Sequence, residues 1–165
     1  QKDKIKKVRD FFENNNSIDV LFDLPKIKKD EISYIFKMKK KFIPNLWKTT
    51  IPTSSISMKR NFFKECIEHE IFKEFNLLEI DFRINVLAQN IKKNFEILDE
   101  TLNVYRIVDN SLMSKNKKFY PNWWKKRLQA HQFMKTIHLK FNQNFKNIDF
   151  SITKFFVNFL NFLKL

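Results

Sequence analysis

Cysteine and histidine side chains are the chain's first candidates for nucleophilic or metal chemistry. Cys66 and His69 lie three residues apart. On a helix this spacing would place them on one face, as a nucleophile and its base or as two metal ligands. Neither arrangement finds a third member in the neighbouring sequence. Because a cysteine beside an apolar stripe usually behaves as a small hydrophobic residue, we expect no chemistry at this pair.

The other two histidines are poorly spaced for a shared metal ion. His131 and His138 are seven residues apart, so on a helix they share a face but lie about 10.5 Å apart along the axis. One ion cannot readily be bound by both. We therefore expect two histidines at a seam between helices, and we predict no metal site.

The chain contains no glycine, and this excludes several classes of site. Phosphate-binding loops need glycine for positive φ and for close approach of the backbone. The P-loop, the dinucleotide fingerprint, the Gly-x-Ser-x-Gly elbow and the kinase glycine-rich loop are therefore absent. We predict that the protein is not an enzyme and takes no cofactor. Tight hairpin turns favour Asn-Gly or Asp-Gly, so the composition also favours helices over hairpins.

A basic and aromatic segment at residues 115–127 is the clearest functional signal. Lysine and arginine neutralise phosphates, and aromatic rings stack on unpaired bases. The segment contains no Asp or Glu. We predict RNA contact through Lys115, Lys117, Lys118, Trp123, Lys125, Lys126 and Arg127. The alternative is a set of solvated lysines with Trp123 packed on the preceding loop; Trp124 is expected in the core in both cases.

A second basic cluster follows an apolar stretch in the first quarter of the chain. It consists of Lys37, Lys39, Lys40 and Lys41, and it would extend the RNA-binding surface if the fold brought the two clusters together. Taken alone, it is better explained as a solvated helix face.

The composition offers a second explanation for the positive charge of the chain. The 165 residues carry a formal net charge of +14 and include 20 phenylalanines. Lys, Asn, Ile and Phe, whose codons consist largely of A and T, dominate, so an AT-biased genome explains part of the lysine excess without an anionic partner. A single cysteine excludes an intramolecular disulfide framework. No signal peptide is visible, and no apolar run reaches the roughly 20 residues of a membrane span.

Apolar spacing predicts an all-α fold in a single domain, 1–165. Positions 79–113 repeat apolar residues every three or four residues, and 121–146 do the same after a short basic break. Pro121 suits the first turn of the second helix. We expect an elongated domain built on this long antiparallel helical hairpin, with short helices and loops over 1–52 and long helices over 53–146.

The shorter elements are predicted from caps and stripes. A helix is expected over 4–13, an apolar helix or extended stretch over 18–24, and a helix over 30–41 capped by Asp30. A loop containing Trp47 should separate Pro44 from Pro52. The next helix, capped by Ser54 or Ser55, should turn one stripe inward: Phe63, Ile67, Ile71 and Phe75.

Residues 150–165 predict an amphipathic C-terminal helix with an unusually wide apolar arc. Lys154, Asn158 and Asn161 form a thin polar stripe, and phenylalanine and leucine cover the rest. Such an arc needs more than one neighbour. We expect the helix to dock on a protein partner as well as on its own chain; a membrane interface is a less favoured alternative.

Together these features predict a structural, RNA-contacting subunit of a large ribonucleoprotein. The most concrete form is a lineage-specific or diverged mitochondrial ribosomal protein from an AT-biased genome, with ribosomal RNA and neighbouring protein subunits as partners and the mitochondrion as location. The alternative is a peripheral accessory subunit of a mitochondrial respiratory complex or ATP synthase, which would explain the phenylalanine surplus and the last helix.

Overall fold

The structure, a computed structural model, describes residues 3–37, 50–68, 74–108 and 118–163. This part of the chain is mixed: 53% is helical and 16% is strand. The expected all-α fold is therefore wrong. The helices are α1 Lys4–Asn14, α2 Arg60–Glu68, α3 Ile80–Val86, α4 Pro121–Lys140 and α5 Ile148–Phe162, and the strands are β1 Val20–Asp23, β2 Lys26–Lys29, β3 Ile32–Ile35, β4 Ile56–Met58, β5 Phe95–Leu98 and β6 Val104–Arg106.

The strands form two small sheets that share two long chain segments. In sheet 1, β1 lies between β4, which is antiparallel, and β5, which is parallel. In sheet 2, β2 lies between antiparallel β3 and parallel β6. Residues 20–29 and 95–106 thus run side by side through both sheets. This parallel pairing joins segments about 75 residues apart, so no local sequence pattern could reveal it.

The β2–β3 hairpin forms although the chain has no glycine. Lys29 pairs with Ile32, so only Asp30 and Glu31 make the turn, and Asp30 takes the positive φ of 51°. Aspartate tolerates this region better than most residues, at a cost of about 1–2 kcal/mol. Missing glycine therefore does not exclude hairpins here, and the described part of the predicted helix over 30–41, up to residue 37, contains a turn and a strand instead.

The predicted helix over 79–113 ends early. Helix α3 continues as π-helical turns over Leu87–Lys92, and Lys93 ends it in the left-handed conformation at φ 59°. Strands β5 and β6 follow, since Phe95 and Ile97 pair with β1. Every residue from Phe82 to Gln89 is buried. A helix buried on all sides belongs at the centre of a core and not in a two-helix seam.

The face of α2 differs from the expected one by a single position. Phe62 and Cys66 are buried, whereas Phe63 and Ile67 are about half exposed. One residue turns a helix by about 100°, and this shift moves the predicted stripe out of the core. The predicted Ile71 lies outside the described residues, as do Pro44 and Trp47.

Several local predictions are confirmed. Helix α1 forms where expected, and the apolar stretch after it is strand β1, all of whose residues are buried. Pro121 begins α4, which ends at Lys140 instead of 146 because Asn142 turns the chain at φ 53°. Helix α5 begins at Ile148, where the side chain of Asn147 accepts a hydrogen bond from the Phe150 N–H.

An antiparallel helical hairpin does exist, but between α4 and α5. The Trp124 and Phe156 rings stack with centroids 4.6 Å apart, and His131 meets Asp149 seven residues, or about two turns, away along both helices. Buried residues of α3 and α4 fill the main core together with β1. Within the described residues, every helix is too short or too polar to cross a membrane.

Candidate nucleic-acid interface

Sheet 2 presents two chemically different faces, because side chains alternate along each strand. Ile27, at the middle of β2, is buried, while its neighbours Lys26 and Lys28 are exposed. Residues directly opposite in the register share a face. Ile27 therefore shares its inner face with Tyr105, and the lysines share the outer face with the residues paired to them.

The outer face of sheet 2 is basic. Lys28 lies between Ser33 of β3 and Arg106 of β6, and Lys26 lies between Ile35 and Val104. None of these six residues is acidic, and all are exposed. Like charges opposite each other in a sheet are destabilising, so the Lys28–Arg106 neighbours favour an anion between them. No ion pair in the described part of the chain involves either of the two.

The inner face borders a cavity of about 550 Å³ between sheet 2, the start of α3 and the first half of α4. This volume falls within the range of small-molecule sites. Most of the wall is apolar or aromatic, with charged groups at a few points. The lining residues are Ile27, Phe36, Thr50, Pro52, Leu78, Glu79, Asp81, Phe82, Tyr105, Lys118, Trp123, Lys126, Arg127 and Ala130.

Described residues of both predicted basic clusters lie at or next to the cavity. Lys118 lines it, and so does Phe36, which directly precedes the exposed Lys37. Lys125 is exposed on α4, next to the lining residue Lys126. Five predicted RNA-binding lysines lie outside the described residues: Lys39, Lys40, Lys41, Lys115 and Lys117.

Two of the predicted phosphate ligands already have acidic partners within the chain. Lys126 pairs with Glu79, and Arg127 pairs with Asp149. The guanidinium of Arg127 also lies 5.1 Å from the ring of Trp123, within reach of a cation–π interaction. These two residues hold α4 against α3 and α5, so their charge is less available to a ligand than that of Lys118 or Lys125.

The two adjacent tryptophans have different surroundings. Trp123 lines the cavity, whereas Trp124 stacks on Phe156 of α5. Their rings meet edge to face at 4.7 Å, and Phe119, at φ 68°, packs against both. Three aromatic rings therefore fix the start of α4 at the cavity.

Asp81 is the carboxyl group with the most unusual environment in the cavity wall. Burial raises its pKa, and hydrogen bonds from the Phe82 N–H and from Thr53 offset this only in part. The Phe82 nitrogen lies 2.7 Å from Asp81 Oδ1. A carboxylate offers about four lone-pair sites, so Asp81 keeps the capacity to accept further hydrogen bonds.

Cys66 is buried on α2, and its surroundings do not favour the nucleophilic or metal chemistry that its spacing from His69 would allow. Burial raises the pKa of the Cys66 thiol to about 12, so the thiolate needed for nucleophilic or metal chemistry does not form near neutral pH. His69 lies outside the described residues. No group of three or more His, Cys, Asp and Glu side chains in the described ranges is placed to hold a metal ion.

His131 joins α4 to α5 at the expected seam between helices. Its ring is fully buried and stacks on Phe150, and its Nε2 lies 3.1 Å from Asp149 Oδ2. Because a carboxylate only accepts, this nitrogen carries the hydrogen. Burial lowers the pKa of His131 to about 4, despite the opposing effect of Asp149. The side chain therefore stays neutral at physiological pH.

The basic outer face was not predicted from the sequence. Lys26-Ile27-Lys28 alternates with period two, and this is the local signal of a half-buried strand. The contribution of Arg106 has no such signal, since it depends on the parallel pairing of β2 with β6.

Comparison with known proteins identifies no family model, no curated protein and no solved structure that matches this chain.

Proposed function

We propose that the protein is a structural, RNA-contacting subunit of a large ribonucleoprotein. Most concretely, it is a lineage-specific or diverged mitochondrial ribosomal protein encoded by an AT-biased genome. The observation that supports this best is the outer face of sheet 2, where Lys26, Lys28 and Arg106 lie together and none of the residues paired with them in the sheet is acidic. Codon bias scatters lysine wherever the surface tolerates it, but it does not place an arginine opposite a lysine across non-local strands.

The residues around the cavity supply the second part of the proposed RNA-binding surface. Lys37, Lys118 and Lys125 are exposed around an aromatic wall. Proteins that bind single-stranded or looped RNA place cations against its phosphate backbone and stack aromatic rings on its unpaired bases. Lys126 and Arg127 serve mainly to hold this region together through their acidic partners.

RNA binding measured against salt tests the proposal. A variant with Lys26, Lys28 and Arg106 changed to Gln should show a salt slope shallower by about 2, because each lost single-strand phosphate contact removes about 0.7. The dissociation constant for a single-stranded RNA is measured at several salt concentrations between about 50 and 200 mM. The slope is that of its logarithm against the logarithm of the salt concentration.

The matched control removes the same charge elsewhere. Lys64, Lys135 and Lys140 are exposed on α2 and on the later turns of α4. Changing them to Gln should leave the slope nearly unchanged. If both variants lose affinity equally, binding reflects net charge alone and the proposed surface is wrong.

Helix α5 supplies a surface for a protein neighbour in the same assembly. Five apolar side chains on its outer side recur at spacings of four and three, as in a coiled-coil seam: Ile148, Ile152, Phe155, Phe159 and Phe162. Their exposed fractions run from 46% to 83%, which amounts to roughly 600 Å² of apolar surface. This equals or exceeds the largest patch of a typical monomer, about 300–600 Å², so we propose that a neighbouring subunit covers it.

Without that neighbour, the isolated protein should self-associate through α5. Changing Phe155 and Phe159 to Ser should shift the sedimentation profile from oligomer to monomer, because it removes the middle of the apolar seam. The control changes Asn158 and Asn161, on the polar side of the same helix, to Ser. Oligomers that persist in the phenylalanine variant would show that association uses another surface.

The exposed seam of α5 also favours the second candidate, a peripheral accessory subunit of a respiratory complex or ATP synthase. Such a subunit would use the same helix for docking and would need no RNA contact. A flat salt dependence for the wild-type protein would favour this second function over the first.

A further inference from the structure

We propose that the cavity beside sheet 2 binds one unpaired guanine base of single-stranded RNA. This inference rests on the proposed function, because it names the part of the RNA that the aromatic side of the surface recognises. In this cavity the predicted basic segment, an aromatic wall and a partly buried carboxyl group meet.

The first argument is the shape and chemistry of the wall. A base unstacked from RNA is flat and largely apolar on its faces, and proteins bind it between aromatic or apolar side chains. Tyr105 and Ile27 line the cavity from sheet 2, and Trp123 lines it from α4. A volume of about 550 Å³ accommodates a nucleoside but excludes a duplex, so the strand must present a single base.

The second argument is the hydrogen-bonding edge. Guanine presents two adjacent donors, N1–H and the N2 amino group, which match the two oxygens of one carboxylate in a bidentate pair. Adenine, cytosine and uracil each place an acceptor where one of these donors would be. Asp81 is the carboxyl group suited to this role, because Glu79, the other acidic lining residue, is already paired with Lys126.

The third argument is the cost of partly burying Asp81. Its carboxyl group accepts hydrogen bonds from the Phe82 N–H and from Thr53, and Lys126, which is paired with Glu79, acts on it only through a weaker Coulomb attraction. A desolvated carboxylate gains most from donors that arrive together in a dry site. Lys118, also in the lining, can meet the phosphate attached to the bound nucleoside.

Uridine pentamers that differ only in the central base test this directly. Central guanosine, inosine and adenosine keep the same phosphates, so the salt-dependent term cancels and the comparison isolates the base edge. We expect at least tenfold tighter binding of the guanosine pentamer than of the adenosine pentamer, with inosine between them because it keeps N1–H and lacks the N2 amino group.

Asp81→Asn identifies the residue that reads the base. The amide keeps one oxygen for the Phe82 N–H but replaces the other by a donor, so the preference for guanosine should fall to about twofold or less while the adenosine pentamer binds as before.

Ile27→Phe supplies a second variant, because it fills the cavity from β2 and leaves the basic outer face intact. It should remove the base preference without changing the salt slope.

The outcomes separate this inference from the proposed function. Equal binding of the three pentamers with a steep salt slope would overturn the guanine site and leave the RNA-contacting role in place. A guanosine preference that survives Asp81→Asn would also overturn it. Absence of binding to any pentamer and to longer RNA would overturn both.

Discussion

Phe133→Ala should lower the free energy of unfolding by about 3–5 kcal/mol, the range for removing a buried aromatic ring. Phe133 is fully buried on α4. Its ring meets Phe75 edge to face with centroids 5.6 Å apart, and Phe82 of the central helix α3 with centroids 6.1 Å apart. The smaller side chain leaves a cavity where α4 joins the core. Urea denaturation followed by circular dichroism measures the loss.

The same substitution at Phe162 provides the control. Phe162 is 83% exposed at the end of α5, so Phe162→Ala should change the free energy of unfolding by no more than about 0.5 kcal/mol. Both variants delete the same atoms. They are compared in the Phe155→Ser, Phe159→Ser background, where self-association through α5 does not contribute, so only the surroundings differ. Equal losses at the two positions would contradict the packing of α4 against α3.

Local sequence sufficed for the elements that are fixed by local interactions. Helix α4 begins at Pro121, whose missing N–H is not needed in a first turn. Helix α5 begins after Asn147, a good N-cap residue, and has apolar residues at helical spacing. Both helices could therefore be predicted, with errors of a few residues at their ends.

Strand pairing could not be predicted in the same way. The apolar residues after Lys93 fit a spacing of three and four, but they also fit strands β5 and β6. What decides between the two is pairing with β1 and β2, which lie about 75 residues earlier. Asp30 and Lys93 add a second reason: aspartate tolerates positive φ without requiring it, and lysine gives no signal of it.

The candidate site was predictable to the extent that it is local. Lys118 and Trp123 belong to one basic and aromatic segment, and both line the cavity. The acidic partners of Lys126 and Arg127 come from other helices, so the sequence overestimated the charge available for phosphate. Arg106 joins Lys28 only through the sheet.

Acid should destabilise the fold partly through His131. In the folded chain burial lowers the pKa of His131 from 6.5 to about 4, whereas in the unfolded chain the imidazole takes up its proton near pH 6.5. Between these values the unfolded state binds more protons. The free energy of unfolding therefore falls as the pH is lowered from 6.5 to 4, by about 2–4 kcal/mol from this one group.

His131→Gln isolates this contribution from the carboxyl groups that also titrate in acid. Glutamine can still donate a hydrogen bond to Asp149, but it does not take up a proton. The slope of unfolding free energy against pH between 4 and 6.5 should therefore fall by an amount that corresponds to close to one bound proton.

His138→Gln serves as the comparison. Burial also lowers the pKa of His138, but this side chain is only half-buried, so its effect should be smaller. A slope unchanged by His131→Gln would mean that His131 is already protonated in the folded protein, with Asp149 outweighing burial. In that case α4 and α5 would be joined by an ion pair in place of a neutral hydrogen bond.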